Sequence, residues 1–328
     1  MSSAGSVFGD HCPLALSPAQ LQRLPPDSVA VLDASWHMPN SPRNARAEFD
    51  ALRIPRARFL DLDAVASTHP LALKHMMPSP VLFAQACEDF GISPDSHVVL
   101  YDSHGVFSSP RALFMFRAFG HNRSSILDGG LPAWLAHGAP TESGPLHPIE
   151  CGRYPTPSLD KYLIKRYEQI VANSKLDPAS SIHAEVVLDA RPHGRYAGTA
   201  PEPRPGLPSG HIPHSFSLPF SALLQTHEYA STHTRAAPAP TYTTLAPPAA
   251  LHGALATAVG PELAGEITEG RRRVVASCGS GMTAGVVWLG LGLVGVRDVG
   301  LYDESWTGYA MREESEIVKG EPAEAEKR

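Results

Sequence analysis

The sequence predicts an α/β protein built as two tandem copies of one domain, each a parallel β-sheet flanked by helices. Three features point to it: the chain length, four segments that recur in order in the two halves, and strand and helix signals that alternate within each half. At 328 residues the chain is longer than one core usually supports, since cores rarely grow beyond about 250 residues and about 150 per domain is common. Short β-branched runs that end in turn residues and lead into helical periodicity mark βαβ units, whose parallel strands are covered by helices.

The recurrence is specific. Val31-Leu32-Asp33-Ala34-Ser35 answers to Val187-Leu188-Asp189-Ala190-Arg191, and Ile54-Pro55 with the run to Leu62 answers to Ile212-Pro213 with the run to Phe220. Val98-Val99-Leu100-Tyr101-Asp102 answers to Val274-Val275-Ala276-Ser277-Cys278, and Leu127-Asp128 before Trp134 answers to Tyr302-Asp303 before Trp306. The offsets are 156 and 158 for the first two pairs (189 − 33, 212 − 54) and 176 and 175 for the last two (278 − 102, 303 − 128). The jump of 18 between the second and third pairs (176 − 158) locates an insertion in the second half, about 225–252. Rich in Ala, Pro, Thr and His, that stretch reads as a disordered or loosely packed surface loop.

Helices are expected over 111–119 and 283–293, each following its strand and loop. Between the halves, 141–157 is rich in Pro and Gly and reads as a linker. Ser158 then reads as the cap of a helix whose apolar face is Leu159, Tyr162, Leu163, Tyr167 and Ile170. The first domain is thus expected over 13–140 and the second over 158–318, with a charged tail over 319–328.

Composition narrows the classes. With 43% hydrophobic and 18% charged residues the chain can bury a core without disulfides or metal. A formal charge of −6, from 27 basic and 33 acidic residues, argues against a nucleic-acid partner. The longest apolar run, 284–296, is far short of the roughly 20 residues that span a bilayer, so it reads as a buried helix and no membrane partner is expected. Four cysteines, Cys12, Cys87, Cys151 and Cys278, lie far apart with no CxxC pair, which fits neither a disulfide framework nor a zinc site and suggests a reducing compartment. The first 25 residues show no secretory signal, leaving a cytoplasmic or mitochondrial location open. His211 and His214 lack a nearby third ligand, so no metal is expected there. Cys12, Cys87 and Cys151 read as inert, with Cys151 in the linker as a candidate redox switch.

The chemistry is expected at Cys278-Gly279-Ser280-Gly281-Met282-Thr283-Ala284, between a strand and an apolar helix. A cysteine there can sit where backbone N–H groups converge and the helix dipole favours negative charge. Such a site favours the thiolate, and the same cradle suits a substrate anion or a persulfide. Gly279 and Gly281 suit a loop curled around the sulfur, where positive φ is expected. Taken alone, the motif reads equally as a buried structural cysteine beside a Gly-rich turn. In the first half the equivalent loop is Asp102-Ser103-His104-Gly105, without cysteine, as expected when one copy keeps the chemistry and the other supports it.

From about residue 13 to about residue 315 the chain resembles the tandem-rhodanese sulfurtransferases. The matches are Leu32-Asp33-Ala34-Ser35-Trp36, Asp61-Leu62-Asp63, His75-Met76, Arg111 with Phe119-Gly120-His121, Asp128-Gly129-Gly130, Gly210-His211-Ile212-Pro213 and Cys278-Gly279-Ser280-Gly281. The resemblance implies two rhodanese-like domains and a persulfide carried on Cys278. Cys-Gly-Ser-Gly looks like the loop of the mercaptopyruvate type, whereas the thiosulfate type has basic residues at the positions of Gly279 and Ser280. Thiosulfate is a dianion that suits basic neighbours, while mercaptopyruvate leaves as an enolate that needs a proton. The resemblance further implies catalytic roles for Ser280, His75 and Asp63, and substrate binding by Arg195 and Arg204, with Gly279, Gly281, Met282 and Thr283 lining the loop. Arg191 and Asp189 read as a structural pair.

The chain departs from the family pattern at Glu304, where Tyr-Asp-Gly-Ser-Trp is usual, at His214, where glycine is favoured, and at Phe107, where tyrosine is common. The implied reaction takes a small-molecule sulfur donor, 3-mercaptopyruvate, and passes sulfur to a thiol acceptor such as thioredoxin, to cyanide or to a sulfur-relay protein, with no cofactor. Alternatives are a thiosulfate sulfurtransferase, a sulfur relay for tRNA thiolation, a cysteine phosphatase and a non-catalytic binding module. Against the phosphatase, the Cys-x5-Arg arginine is absent because Ala284 holds its place.

Overall fold

The computed structural model describes residues 8–9, 11–228 and 241–320. The inner part of the expected insertion, 229–240, and the charged tail from 321 onward lie outside the described residues. In chain order the elements are β1 (Ala15–Leu16), α1 (Pro18–Arg23), β2 (Val29–Asp33), α2 (Ala45–Ala51), β3 (Arg58–Phe59), α3 (Pro80–Asp89), β4 (His97–Tyr101), α4 (Ser109–Ala118), β5 (Ser124–Leu127), α5 (Gly130–Ala136), β6 (Ile164–Lys165), α6 (Tyr167–Asn173), β7 (Val186–Asp189), α7 (His193–Tyr196), β8 (Phe216–Ser217), β9 (Leu224–Glu228), β10 (Thr241–Leu245), α8 (Pro248–Val259), α9 (Pro261–Thr268), β11 (Val274–Ser277), α10 (Ala284–Leu293), β12 (Gly300–Tyr302) and α11 (Ser305–Ala310).

Contacts divide the chain into two compact units. The first comprises Met1–Ser67, Met77–Asp160 and Leu224–Leu245, the second Thr68–Met76, Lys161–Leu223 and Ala246–Arg328. Each unit is a five-stranded, all-parallel sheet flanked by helices, ordered β1-β5-β4-β2-β3 in the first and β6-β12-β11-β7-β8 in the second. The two orders are the same under the sequence repeat, because β2, β3, β4 and β5 answer to β7, β8, β11 and β12. Central strands β4 and β11 are buried along their whole length, as continuous apolar runs covered on both faces must be. No helix among the described residues is long and apolar enough to cross a membrane; the run 284–296 instead supplies buried α10.

Local chemistry accounts for several element starts. Ser17 and Gln20 form a reciprocal capping box that starts α1 after β1, with Ser17 N–H donating to Gln20 Oε1 at 2.8 Å. One half of this device recurs at the start of α6, where Arg166 N–H donates to Gln169 Oε1 at 2.9 Å; the arginine side chain cannot accept in return. Ser79 caps α3 and is followed by Pro80, whose missing N–H costs nothing in a first turn.

Four expectations are corrected. The helix expected from Ser158 does not form: Ile164 pairs with Leu301 as edge strand β6, and the helix begins only at Tyr167, with Tyr167 and Ile170 buried. Filling the sheet edge beside β12 overrides local helix periodicity. The expected linker 141–157 packs along the first unit, where Gly152 N–H donates to Glu88 O at 2.8 Å and the Tyr154 hydroxyl meets His121 Nδ1 at 2.8 Å. A β-carbon at Gly152 would stand 2.6 Å from Ile92 O, so this approach requires glycine. The expected insertion contributes an antiparallel hairpin, β9 with β10, that belongs to the first unit. There Leu245 N–H donates to Asp128 Oδ1 at 2.8 Å and Val106 N–H to Thr243 Oγ1 at 3.3 Å. Conversely, residues 68–76, expected within the first domain, belong to the second unit.

Candidate active site

In an open parallel sheet, loops at the carboxyl ends of the strands gather backbone amides and helix N-termini. In the first unit the loop after β4 shows what that arrangement holds. The Asp102 carboxylate, fully buried, accepts from His104 N and Gly105 N at 3.0 Å each on Oδ1. Its Oδ2 accepts from Phe107 N at 2.9 Å, Ser108 N at 3.0 Å, Ser109 N at 2.9 Å and Ser109 Oγ at 2.7 Å. Six donors thus surround one side-chain anion.

The second unit keeps the loop and changes its occupant. The offset of 176 carries the amides of His104, Gly105, Phe107 and Ser108 to Ser280, Gly281, Thr283 and Ala284, and Asp102 to Cys278. Among the described residues, the amides of residues 279–284 donate to no carbonyl or side chain. The ten-residue α10 begins at the end of this loop and adds its dipole. Cys278 is buried, at 2% exposure, and Gly279, Ser280 and Thr283 are half-buried. Buried Met282 closes the loop from within, its carbonyl accepting Gly285 N–H at 3.1 Å.

Cysteine placement depends on α11. Cys278 N–H donates to Ser305 Oγ at 3.1 Å, and the Ser305 hydroxyl donates to Tyr302 O at 2.8 Å. Trp306 N–H donates to Cys278 O, and Thr307 N–H to Gly279 O, at 2.9 Å each; Thr307 Oγ1 also donates to Gly279 O at 2.5 Å. Ser305 has φ +51, as does Gly130 at +55 in the first unit, so a non-glycine residue carries left-handed backbone beside the cysteine. Sequence reasoning did not single out Ser305 or Thr307; Ser305 differs from Gly130 at its repeat position, which was the available signal.

Gly281 has φ +84, as expected. Gly279 is not left-handed, and a β-carbon there would have only Arg204 Nη1 nearby, at 3.7 Å, so the loop does not require glycine at 279. Arg204 and Arg195 are half-buried, and among the described residues neither guanidinium has an ion pair or side-chain hydrogen bond. Arg191 is the opposite case. It grips both Asp189 oxygens, donates to Glu202 Oε1 at 2.8 Å and to Gly210 O at 2.6 Å, and lies 4.2 Å over the Trp306 ring. Glu202, unforeseen as its partner, ties the Arg204 loop to the strand end. Burial, the largest single influence, would lower the Arg191 pKa, but the charges and hydrogen bonds of Asp189 and Glu202 together outweigh it and hold the guanidinium above its ordinary value.

His75 belongs to the same unit, buried at 2% exposure with φ +45, and its Nε2 lies 2.8 Å from the Ser280 carbonyl. That nitrogen therefore donates, and its described partner is the backbone of Ser280 and not the hydroxyl. Asp63 belongs to the first unit, where Trp36 Nε1 donates to it at 3.3 Å. The second unit thus gathers Cys278, Ser280, His75 and the loop glycines, with Arg204 against Gly279. Arg195 lies in α7, its carbonyl holding Gly210 N–H at 3.0 Å. No group of three or more His, Cys, Asp or Glu placed to hold a metal occurs among the described residues.

The departures have physical explanations. His214 follows Ile212-Pro213 at φ +59 and Arg56 follows Ile54-Pro55 at φ +66, so this turn needs left-handed backbone, which is why glycine suits it. Glu304 has φ −69, which any residue adopts. Phe107 stacks on Trp36 at 6.4 Å between centroids.

Two sheets of one topology, one of them with a cysteine at the start of the loop whose amides lack acceptors among the described residues, define the class: a duplicated α/β domain with one cysteine-bearing copy. A family model described as a rhodanese-like domain matches residues 17–137. The 3-mercaptopyruvate sulfurtransferase of Rattus norvegicus is 38% identical over 300 residues, covering 88% of this chain and 88% of that protein. The thiosulfate/3-mercaptopyruvate sulfurtransferase 1, mitochondrial, of Arabidopsis thaliana is 35% identical over 301 residues, covering 86% of this chain and 72% of that protein. Among solved structures, the sulfur transferase subunit of yeast mitochondrial complex I matches with TM-score 0.78 at 30% identity, covering 94% of this chain and 100% of that one. The chain belongs to the rhodanese family of sulfurtransferases. Its substrates are accordingly a sulfur donor and a sulfur acceptor.

Proposed function

We propose that the chain takes sulfur from 3-mercaptopyruvate onto Cys278 and passes it to a thiol or cyanide. The observation that carries this reading is the cradle: of the five amides that hold the Asp102 carboxylate in the first copy, four have counterparts (Ser280, Gly281, Thr283 and Ala284) with no acceptor among the described residues of the second, where Cys278 stands, while the fifth, Gly285, donates to Met282 O. A thiolate, and after it a persulfide, is the anion that cradle suits. Arg204 beside Gly279, with Arg195, supplies guanidinium groups for the donor carboxylate.

In the first step the Cys278 thiolate attacks the donor sulfur. The new S–S bond takes one sulfur, the C–S bond breaks, and its electron pair leaves with carbon as pyruvate enolate, which is protonated to pyruvate. The Ser280 hydroxyl handles that proton and His75 holds the Ser280 peptide in register; the resemblance adds Asp63 to this set. An acceptor thiolate then attacks the outer persulfide sulfur and restores the Cys278 thiolate. Small thiols, thioredoxin and a sulfur-relay protein are the acceptors this chemistry admits, and the mitochondrial relative supports a mitochondrial location. The chemistry calls for no cofactor.

The test is kcat/KM for 3-mercaptopyruvate and for thiosulfate under identical conditions, with intact mass before and after donor exposure. A preference for mercaptopyruvate, with one sulfur added in the wild type and none in Cys278→Ser, is the expected result. Preference for thiosulfate, the second donor in the Arabidopsis relative's name, would overturn the donor assignment and leave the persulfide chemistry standing. A Cys278→Ser variant that still releases pyruvate at the wild-type rate would overturn both.

A further inference from the structure

Residues 68–76 lie against α11 and the cysteine loop at three points within the second unit. His69 Nε2 stands 3.7 Å from Glu304 Oε1. Leu73 packs at Gly308, where a β-carbon would stand 3.1 Å from Leu73 Cδ1 and 2.5 Å from Glu304 Cβ. His75 Nε2 donates to Ser280 O at 2.8 Å.

The segment between these points is strained. Ala72 and His75 have φ of +52 and +45, and neither is glycine. Residues in that region relax unless their surroundings hold them. His69 is well placed to hold: Leu71 N–H donates to its Nδ1 at 3.2 Å, which puts the ring proton on Nε2, the nitrogen nearest Glu304. Glu304 is itself fixed, since Arg312 Nη1 meets its Oε2 at 2.6 Å while the guanidinium lies 4.0 Å over the Tyr167 ring. One carboxylate oxygen is thus anchored to α11's surroundings and the other faces His69. Glu304 stands where the family resemblance leads to glycine, and its φ of −69 makes no demand for one.

We propose that Glu304 is a positioning residue for sulfur transfer: it latches segment 68–76 to α11 and so keeps His75 on the Ser280 carbonyl. The proposal rests on the role given to His75 above. Without the latch, the left-handed backbone at Ala72 and His75 relaxes, His75 withdraws, and the Ser280 hydroxyl loses its register with the leaving enolate. Glu304 acts only through His75, and that gives the latch a signature a general structural role lacks.

The experiment is a double-mutant cycle on kcat and KM for 3-mercaptopyruvate with Glu304→Gln, His69→Gln and His75→Ala, each single and each latch variant combined with His75→Ala. Glu304→Gln keeps the side chain's size and its bond from Arg312; should it fold poorly, His69→Gln breaks only the strap side and carries the same test. Each latch variant is expected to lower kcat about tenfold with KM within about twofold, the scale of a small misplacement, and to cause no further loss in the His75→Ala background. Wild-type kcat in the latch variants, or losses that multiply with that of His75→Ala, would overturn the latch. Wild-type kcat in His75→Ala would overturn the role of His75 and the latch with it. Failure of the wild type to gain one sulfur from the donor would instead overturn the donor reading, so the two failures are distinguishable.

Discussion

The Arg204 guanidinium lies beside Gly279, 3.7 Å from where a β-carbon at that position would stand, with Gly279 itself outside the left-handed region. A side chain therefore fits at 279 without backbone strain, and a cation there would join Arg204 over the cysteine loop. Two adjacent cations favour a dianion over a monocarboxylate. Gly279→Lys is expected to raise the ratio of kcat/KM for thiosulfate to that for 3-mercaptopyruvate by about tenfold or more. An unchanged ratio would show that charge at this position does not select the donor.

Asp102 offers a separate test in the first unit. Removing its carboxylate leaves five amides and the Ser109 hydroxyl without their acceptor in a buried loop. Asp102→Ala is expected to cost on the order of 3–5 kcal/mol, and Asp102→Asn less, because the amide oxygen still serves part of the ring. Urea midpoints of the three proteins check the ranking; an Asp102→Ala protein as stable as Asp102→Asn would contradict it.

The repeat also predicts a pH effect. Asp189 and Asp33 end equivalent strands, but Asp189 holds Arg191 whereas Asp33 has Ser35, whose N–H donates to it at 2.8 Å. Burial is the largest influence on Asp33; Ser35 and Tyr101 oppose it only partly, and the carboxyl is pushed up to about 6. The folded form therefore binds this proton more tightly than the unfolded chain does. Stability from this group is greatest below about pH 4, falls as pH rises to about 6, and is level above, a loss of about 3 kcal/mol. Asp33→Asn is expected to match wild type near pH 4 and to exceed it at pH 8, as read by urea midpoints. An equal difference at both pH values would rule out ionisation of Asp33 as the cause.

The repeated central strands were legible because parallel strands are buried on both faces and appear as apolar runs ending in Asp33, Asp102, Asp128, Asp189, Cys278 and Asp303. Edge strands β1 and β6, two residues each, carry no such run, so Ile164 was read into a helix. Hairpin β9–β10 is half-exposed, and its polar residues resemble a loop until Asp128 accepts its Leu245 amide and the Val106 amide donates to its Thr243 hydroxyl. At the site, Cys278 and its glycines were visible as a motif. That Asp102 fills the corresponding cradle was not, since the sequence recorded only a missing cysteine. The backbone angle at His75 leaves no mark in residue type, because the residue is non-glycine, and that at Ser305 shows only through Gly130 at its repeat position.

Ser305 separates strain from hydrogen bonding at the cysteine. Its hydroxyl accepts Cys278 N–H and donates to Tyr302 O, while its backbone sits at φ +51. Ser305→Ala keeps the strain and orphans a buried amide, which costs about 1–3 kcal/mol. Ser305→Gly orphans the same amide but relieves the left-handed backbone, as Gly130 does at the equivalent place, so it is expected to be about 1 kcal/mol more stable than the alanine variant. Both variants free the amide of Cys278 and are expected to slow persulfide formation alike, measured as sulfur added per time by intact mass. If glycine restored the rate as well as the stability, the backbone turn at 305 and not the hydroxyl would be what holds Cys278.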